Sequence, residues 1–175
     1  MKKTTEEAID KYEFRTVHED EAEIEAAIEA ACFPAKEACT LPVMKQRVRL
    51  APDLFMVAIE KQTGKMVGFI NAIATDETNL RDEFFTDTSL HDPQGRFLMI
   101  LSVAVLPEHR LQGLAREMMR ELMRRQAGSG RLAAVLTCLP SKVKLYKKMG
   151  FTDRGLSESA WGGEKWHEMT CVLPR

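Results

Sequence analysis

The stretch 97-FLMILSVAVLPEHRLQGLAREMMRELMRRQ-126 decides how this chain folds. Its first ten residues, Phe97 to Leu106, are apolar apart from Ser102, as expected of a central strand covered on both faces. From residue 114 onward Ala115, Met118, Met119, Leu122 and Met123 recur on one helical face, with Arg116, Arg120 and Arg124 on another. Gly113 stands at the joint between strand and helix. Glycine loses more backbone entropy than any other residue, so a glycine here implies that something approaches the backbone closely. The first turn of a helix leaves about four N–H groups without partners and carries the positive end of the helix dipole. A strand, a glycine turn and a helix N-terminus together make a phosphate cradle. Gly113 and the small Ala115 admit the anion, and Arg110 and Arg116 offer charge-assisted bonds. A tight turn with solvated arginines is the plainer alternative for so short a pattern. Neither G-x-G-x-x-G nor G-x-x-x-x-G-K-S/T occurs, which excludes the usual dinucleotide and ATP cradles.

Working outward, residues 12–19 alternate as a strand, and 20–33 form an Ala- and Glu-rich helix with Ile24, Ala27, Ile28 and Ala31 at helical spacing. Asp20, with Glu23 three residues on, reads as its cap. A short helix follows over about 42–50, then two apolar strands around "KQTG" within 53–75, a hairpin signal. Residues 76–95 are polar with a helical turn. Beyond the opening stretch come a strand at 131–138, a short helix at 140–150 and a closing strand pair. The order β-α-α-β-β-loop-β-α-β-α-β-β predicts an α/β (α+β) fold, a mixed sheet of six or seven strands with helices on both faces.

A length of 175 residues predicts one domain spanning 1–175. A net charge of −1, from 25 basic and 26 acidic residues, gives no case for nucleic-acid or membrane-surface binding. The four cysteines form no C-x-x-C pair and no metal spacing with the four histidines, so no metal is expected and the thiols read as reduced. The charged start "MKKTTEEAID" has no apolar segment of the kind a secretory leader carries, and no apolar run approaches a membrane span. A cytoplasmic protein, monomeric or weakly dimeric, is the expectation.

The pattern Arg110-Leu-Gln-Gly113-Leu-Ala115 resembles the Q/R-x-x-G-x-G/A motif of the GNAT superfamily of N-acetyltransferases. The preceding "ILSVAVLPEHR" resembles that superfamily's apolar strand ending in V-x-P-x-x-R, and "VKLYKKMGF" (143–151) its L-Y-x-K/R-x-G-F signature. Three further stretches are similar to arylalkylamine N-acetyltransferases: "SLHDPQGRFLMILSVAV" (89–105), "ACFPAKEA" (31–38) and "GGEKWHEMTCVL" (162–173).

The resemblance implies direct acetyl transfer from acetyl-CoA to a primary amine, most simply an arylalkylamine or polyamine, in a ternary complex. It implies that the pyrophosphate sits on the amides of Leu111, Gln112, Gly113, Leu114 and Ala115, with Arg110 and Arg116 nearby. The pantetheine arm would pair along Val103, Ala104 and Val105, on an edge opened by a bulge. It assigns Tyr146 as the general acid; a plain core aromatic is the alternative. The histidine pair of better-known vertebrate members is replaced by Met99 and Leu101, so the base stays open between Glu37 and His91, a loop-anchoring role being the simpler one for His91. His18, His109 and His167 read as structural. Phe33, Pro34, Leu41 and Trp166, with Pro42 and Trp161, offer an apolar slot for the amine's arm. The Arg116/Arg120/Arg124 row either reaches the 3′-phosphate of CoA or is a solvated helix face. A protein or peptide N-acetyltransferase and a non-catalytic acyl-CoA sensor are the competing readings.

Overall fold

The computed structural model of the protein describes residues 5–175; the first four residues of the charged start lie outside them. A short helix α1 (Thr5–Ile9), which no sequence pattern announced, leads into β1 (Tyr12–Arg15). Then come α2 (Ala22–Cys32), α3 (Leu41–Leu50), the hairpin β2 (Phe55–Glu60) and β3 (Met66–Thr75), and β4 (Phe97–Val105). The chain continues through α4 (Leu114–Gln126), β5 (Ala133–Cys138), α5 (Val143–Lys148), β6 (Thr152–Leu156) and β7 (His167–Val172). The seven strands form one sheet in the order β1-β2-β3-β4-β5-β7-β6, with β4 at its centre. Only the β4–β5 pair is parallel, as the intervening helical crossover requires.

Period-2 alternation divides the core between the two faces. Along β2, Phe55, Val57 and Ile59 join Ile28 of α2 and Met44 and Val48 of α3. Met56 and Ala58 turn the other way, toward Leu114, Met118, Met119 and Leu122 of α4. Met118 is fully buried, and removing such a side chain to Ala costs about 2–5 kcal/mol. The α4 stripe therefore fixes the direction in which the 107–113 turn points.

Helix α2 departs from its expected face. Ala22, Glu25, Ile28 and Glu29 are buried, whereas Ile24 is 47% exposed. Two glutamates thus occupy buried positions that periodicity alone gives to apolar residues, Glu29 bonded by Ser102 of β4 and Glu25 lying near Arg47 of α3. Nor does Asp20 cap this helix. Glu21 stands at its N-cap, and the Glu21 carboxylate accepts the His18 amide at 2.8 Å.

Candidate active site

The centre of the sheet is split open. β4 pairs with β5 only through Phe97, Leu98 and Met99. On its other side it stays paired with β3 as far as Val105. The β3 register shifts between Asn71, opposite Ser102, and Ala72, opposite Ile100, so Leu101 is an extra residue in β4. Such a bulge bends its strand away from the neighbour. A cleft of about 630 Å³ follows the opening, floored by β4 from Ile100 to Val105 and walled by Leu136, Cys138 and Tyr146.

At its C-terminal end the open edge runs into the turn that the sequence singled out. Gly113 sits in the left-handed region at φ +85°, as the N-cap of α4. Leu111 is left-handed too, at φ +62°, and is the only non-glycine residue with positive φ among the described residues. Holding an L residue there costs about 1–2 kcal/mol, a strain that collects at ligand clamps. The Leu111 side chain is fully exposed, so packing does not explain the strain. Alternating handedness gathers successive N–H groups into a concave nest, and the unpaired donors of the first turn of α4 extend it. Below the turn, Tyr12 fixes it from β1. Its hydroxyl lies 2.8 Å from His109 Nδ1 and 3.2 Å from Gln112 Oε1. A hydroxyl has one proton, so both bonds form when Tyr12 donates to Gln112 and accepts from a protonated Nδ1.

The residues assigned to this end are distributed as follows. Val103, Ala104, Val105, Arg110, Leu111, Gly113, Leu114, Ala115 and Arg116 line the cleft. Gln112 does not; it serves as the turn's anchor. Leu114 is also part of the core beneath the turn. Arg110 folds back, its Nε donating to the Val105 carbonyl at 2.8 Å, and so braces the turn against the end of β4. Arg120 is occupied by Glu117 and Arg124 by Glu121, whose carboxyl is pulled down to about 2 by the Arg124 bond first and the Arg125 bond after it. Arg116 has no such carboxylate among the described residues and remains the free cation of the row.

The opposite end of the cleft is made of side chains from separate loops. Phe33, Glu37, Phe85, Trp161 and Trp166 line it. Phe85 stacks on Trp161 with ring centroids 4.8 Å apart. The Trp161 indole donates to the Glu37 carbonyl, and the Trp166 indole to the Trp161 carbonyl. Gly162, at φ +62°, lies so near Glu37 that a Cβ there would stand 2.5 Å from its Cγ. Of the expected slot, Phe33 and Trp166 are on the wall, whereas Pro34 and Leu41 are exposed outside it. Phe85, from the polar 76–95 segment, had no sequence signal beyond being aromatic.

Among the expected proton carriers, Tyr146 faces the cleft with 9% exposure, edge-on to Phe151. Burial first, then the Cys138 thiol, pushes its phenol well above the usual range, so it keeps its proton at neutral pH. His91 is elsewhere: its Nδ1 accepts the Ala74 amide at 3.0 Å, and Ala74 pairs with Leu98, on the far side of the bulge from the opening. Burial lowers its pKa, which suits a neutral, accepting imidazole. The structure instead adds Glu29, which periodicity had overlooked. This carboxylate lines the cleft at 3% exposure; its Oε1 accepts Ser102 Oγ at 3.1 Å and the Cys39 amide at 3.2 Å. Its Oε2 has no partner among the described residues. Burial raises its pKa against the Cys39 and Ser102 bonds and Arg47, which lower it. Among the described residues no His, Cys, Asp or Glu group is placed to hold a metal ion, and no helix is long and apolar enough to cross a membrane.

A split central strand feeding a glycine turn at a helix N-terminus is the arrangement expected of a GNAT domain. The acetyltransferase (GNAT) domain pattern matches residues 51–153, and the chain belongs to that family. No curated protein matches it in sequence. Among solved structures it is similar to the GphF GNAT-like decarboxylase in complex with isobutyryl-CoA, at 17% identity and a TM-score of 0.78, covering 92% of this chain and 99% of that one. The loading GNATL domain of CurA from Lyngbya majuscula gives 16% and 0.78, with 93% and 98% covered. Spermidine/spermine N-acetyltransferase SpeG from Vibrio cholerae, solved with manganese ions, gives 12% and 0.61, with 95% of each chain covered. At such identities these likenesses concern the fold.

Proposed function

We propose that the protein transfers the acetyl group of acetyl-CoA to a small primary amine in a direct ternary complex. The observation that carries this reading is the edge of β4 beyond Met99, which β5 leaves unpaired and which leads through Pro107–His109 into the strained turn. An extended pantetheine arm fits an unpaired strand edge at Val103 to Val105 through main-chain bonds. A pyrophosphate fits the nest at Leu111 to Ala115, with Arg116 as the cation. That a similar fold holds isobutyryl-CoA supports the assignment.

The amine arrives as an ammonium at neutral pH, since alkylamines have pKa values of about 10. Glu29, buried beside β4 with its Oε2 unengaged, is placed to take its proton, directly or through water. Its raised pKa means the base form is lost as pH falls through that value, so kcat/KM should decline on the acid side. The freed nitrogen attacks the thioester carbon, and the C–S bond breaks as the tetrahedral intermediate collapses. Burial keeps the Tyr146 phenol protonated on the cleft wall. Its role is to stabilise the departing sulfur by a hydrogen bond. Two acidic side chains, Glu29 and Glu37, and the aromatic wall of Phe33, Phe85, Trp161 and Trp166 line the amine end. One ammonium on an aromatic arm suits this better than a polyamine, whose several charges need several carboxylates.

The test is CoA release from acetyl-CoA with a panel of amines. A 2-arylethylamine should exceed spermidine and a peptide N-terminus, and Tyr146→Phe should lower kcat roughly 10²-fold with acetyl-CoA binding unchanged. No release with any amine, in a protein that binds acetyl-CoA, overturns the catalytic reading in favour of a sensor.

A further inference from the structure

Three glutamates of α2 stand in one row. Glu21 at the N-cap, Glu25 and Glu29 follow at spacings of four, so they share a helix face, about 6 Å apart along the axis. Their surroundings change along it. Glu21, at the surface end, pairs with Arg15 at 2.6 Å, and that bond holds its carboxyl below the usual range. Glu29 reaches the cleft. Glu25, between them, is completely buried, and neither of its oxygens has a hydrogen-bond partner. Facing the row from α3 is Arg47, 1% exposed, whose Nη2 donates to the Phe85 carbonyl while Nε and Nη1 are unpartnered. Asn71 of β3 has an unpartnered Oδ1, and the Cys39 thiol also adjoins Arg47, Glu25 and Glu29. Buried polar atoms are almost always hydrogen-bonded, through water where no side chain reaches. A purely structural row of this kind would gain nothing over apolar residues, since a buried carboxyl whose oxygens find no side-chain partner costs free energy that an apolar group does not.

The chemistry proposed above supplies a use. An ammonium loses two protons in becoming a secondary amide; one ends on the CoA sulfur, and one has to leave. Resting on that reading, we infer that the row Glu29–Glu25–Glu21 is the exit path of this proton, completed by waters held among Glu25, Arg47 and Asn71. At each step an O–H bond forms as the previous N–H or O–H bond breaks, and no electrons change hands. Burial pushes the Glu25 carboxyl up to about 9, with Glu21 and Glu29 adding to the rise against Arg15 and Arg47. Glu25 is therefore a neutral acid at pH 7, able to accept on one oxygen while releasing from the other.

Glu25→Gln keeps the shape and cannot relay. Its kcat is expected to fall about tenfold or more and the solvent deuterium isotope effect on kcat to rise, with both KM values within about twofold of wild type. Folding is not the obstacle. The folded chain keeps a proton that the unfolded chain loses above about pH 4, so Glu25 weakens wild-type stability increasingly from there to about pH 9. The variant should melt at or above wild type at pH 8. A folded Glu25→Gln protein with wild-type kcat and isotope effect overturns the row. If Glu29→Gln is then inactive, the base survives and only the exit path falls; if Glu29→Gln is also normal, the base assignment falls with it. Should Glu25→Gln fail to fold, Glu21→Gln carries the same readout, and an unchanged isotope effect there overturns the proposal.

Discussion

The two ends of the cleft are built from different materials. The turn end is backbone: the bulge at Leu101, the left-handed Leu111 and Gly113, and the first amides of α4. The amine end is side chains, contributed by α2, the 33–40 and 81–85 segments and the loop before β7. Backbone recognition is indifferent to most substitutions and intolerant of a few, because only φ/ψ and local space matter. Side-chain recognition spreads its energy over many groups and permits exchange of one amine for another. A GNAT chain can thus keep one acyl carrier while its acceptor varies, and the largest mutational effects should fall on the backbone-built end.

Gly113→Asp tests that first and hardest. Aspartate at φ +85° meets a left-handed cost of about 1–2 kcal/mol, and its charge stands where the pyrophosphate is placed. Acetyl-CoA affinity is expected to fall by more than about 10²-fold in calorimetry on protein whose α4 and melting are otherwise intact. Undiminished binding would remove the phosphate from this turn and with it the contrast between the two ends.

The same contrast explains what could be read from the sequence. The 97–126 stretch shows its strand, turn and helix, because local periodicity and a glycine are local signals, and α4 spans 114–126 as its pattern predicts. The bulge leaves no letter, since Leu101 differs from its neighbours only in pairing. On α2, Glu25 and Glu29 lie outside the apolar spacing of Ile24, Ala27, Ile28 and Ala31, and the groups that meet them, Arg47 and Ser102, are distant in sequence. Phe85 joins Trp161 across 76 positions for the same reason. Non-local polar satisfaction is the part of this site that one sequence does not display.

On the side-chain end, Trp161→Leu should produce an intermediate effect. It removes the stack on Phe85 and the indole bond to the Glu37 carbonyl, while leaving β4 and the turn untouched. An aromatic pair contributes about 0.5–1.5 kcal/mol beyond its area, so the amine KM is expected to rise roughly tenfold with acetyl-CoA affinity unchanged. A loss of acetyl-CoA binding instead would show that the two ends are not separable.

The smallest expected effect is at Glu37, one of the two candidates between which the sequence left the base open. It lines the cleft, yet its fixed contacts are a backbone carbonyl and the close packing of Gly162 on its Cγ. Glu29 differs on each count that matters to a base: it is buried, it is oriented by Ser102 and the Cys39 amide, and it keeps one oxygen unengaged. Glu37→Gln preserves the side-chain volume against Gly162 and removes only the charge. Turnover should therefore change by less than about threefold, with any change in the amine KM, where a second carboxylate near the ammonium contributes about 1 kcal/mol or less at a partly exposed position. The acid limb of the kcat/KM profile should stay where wild type has it, because Glu29 sets that limb. A large drop in kcat, with the acid limb abolished, would return the base to the loop and make Glu29 a structural acid.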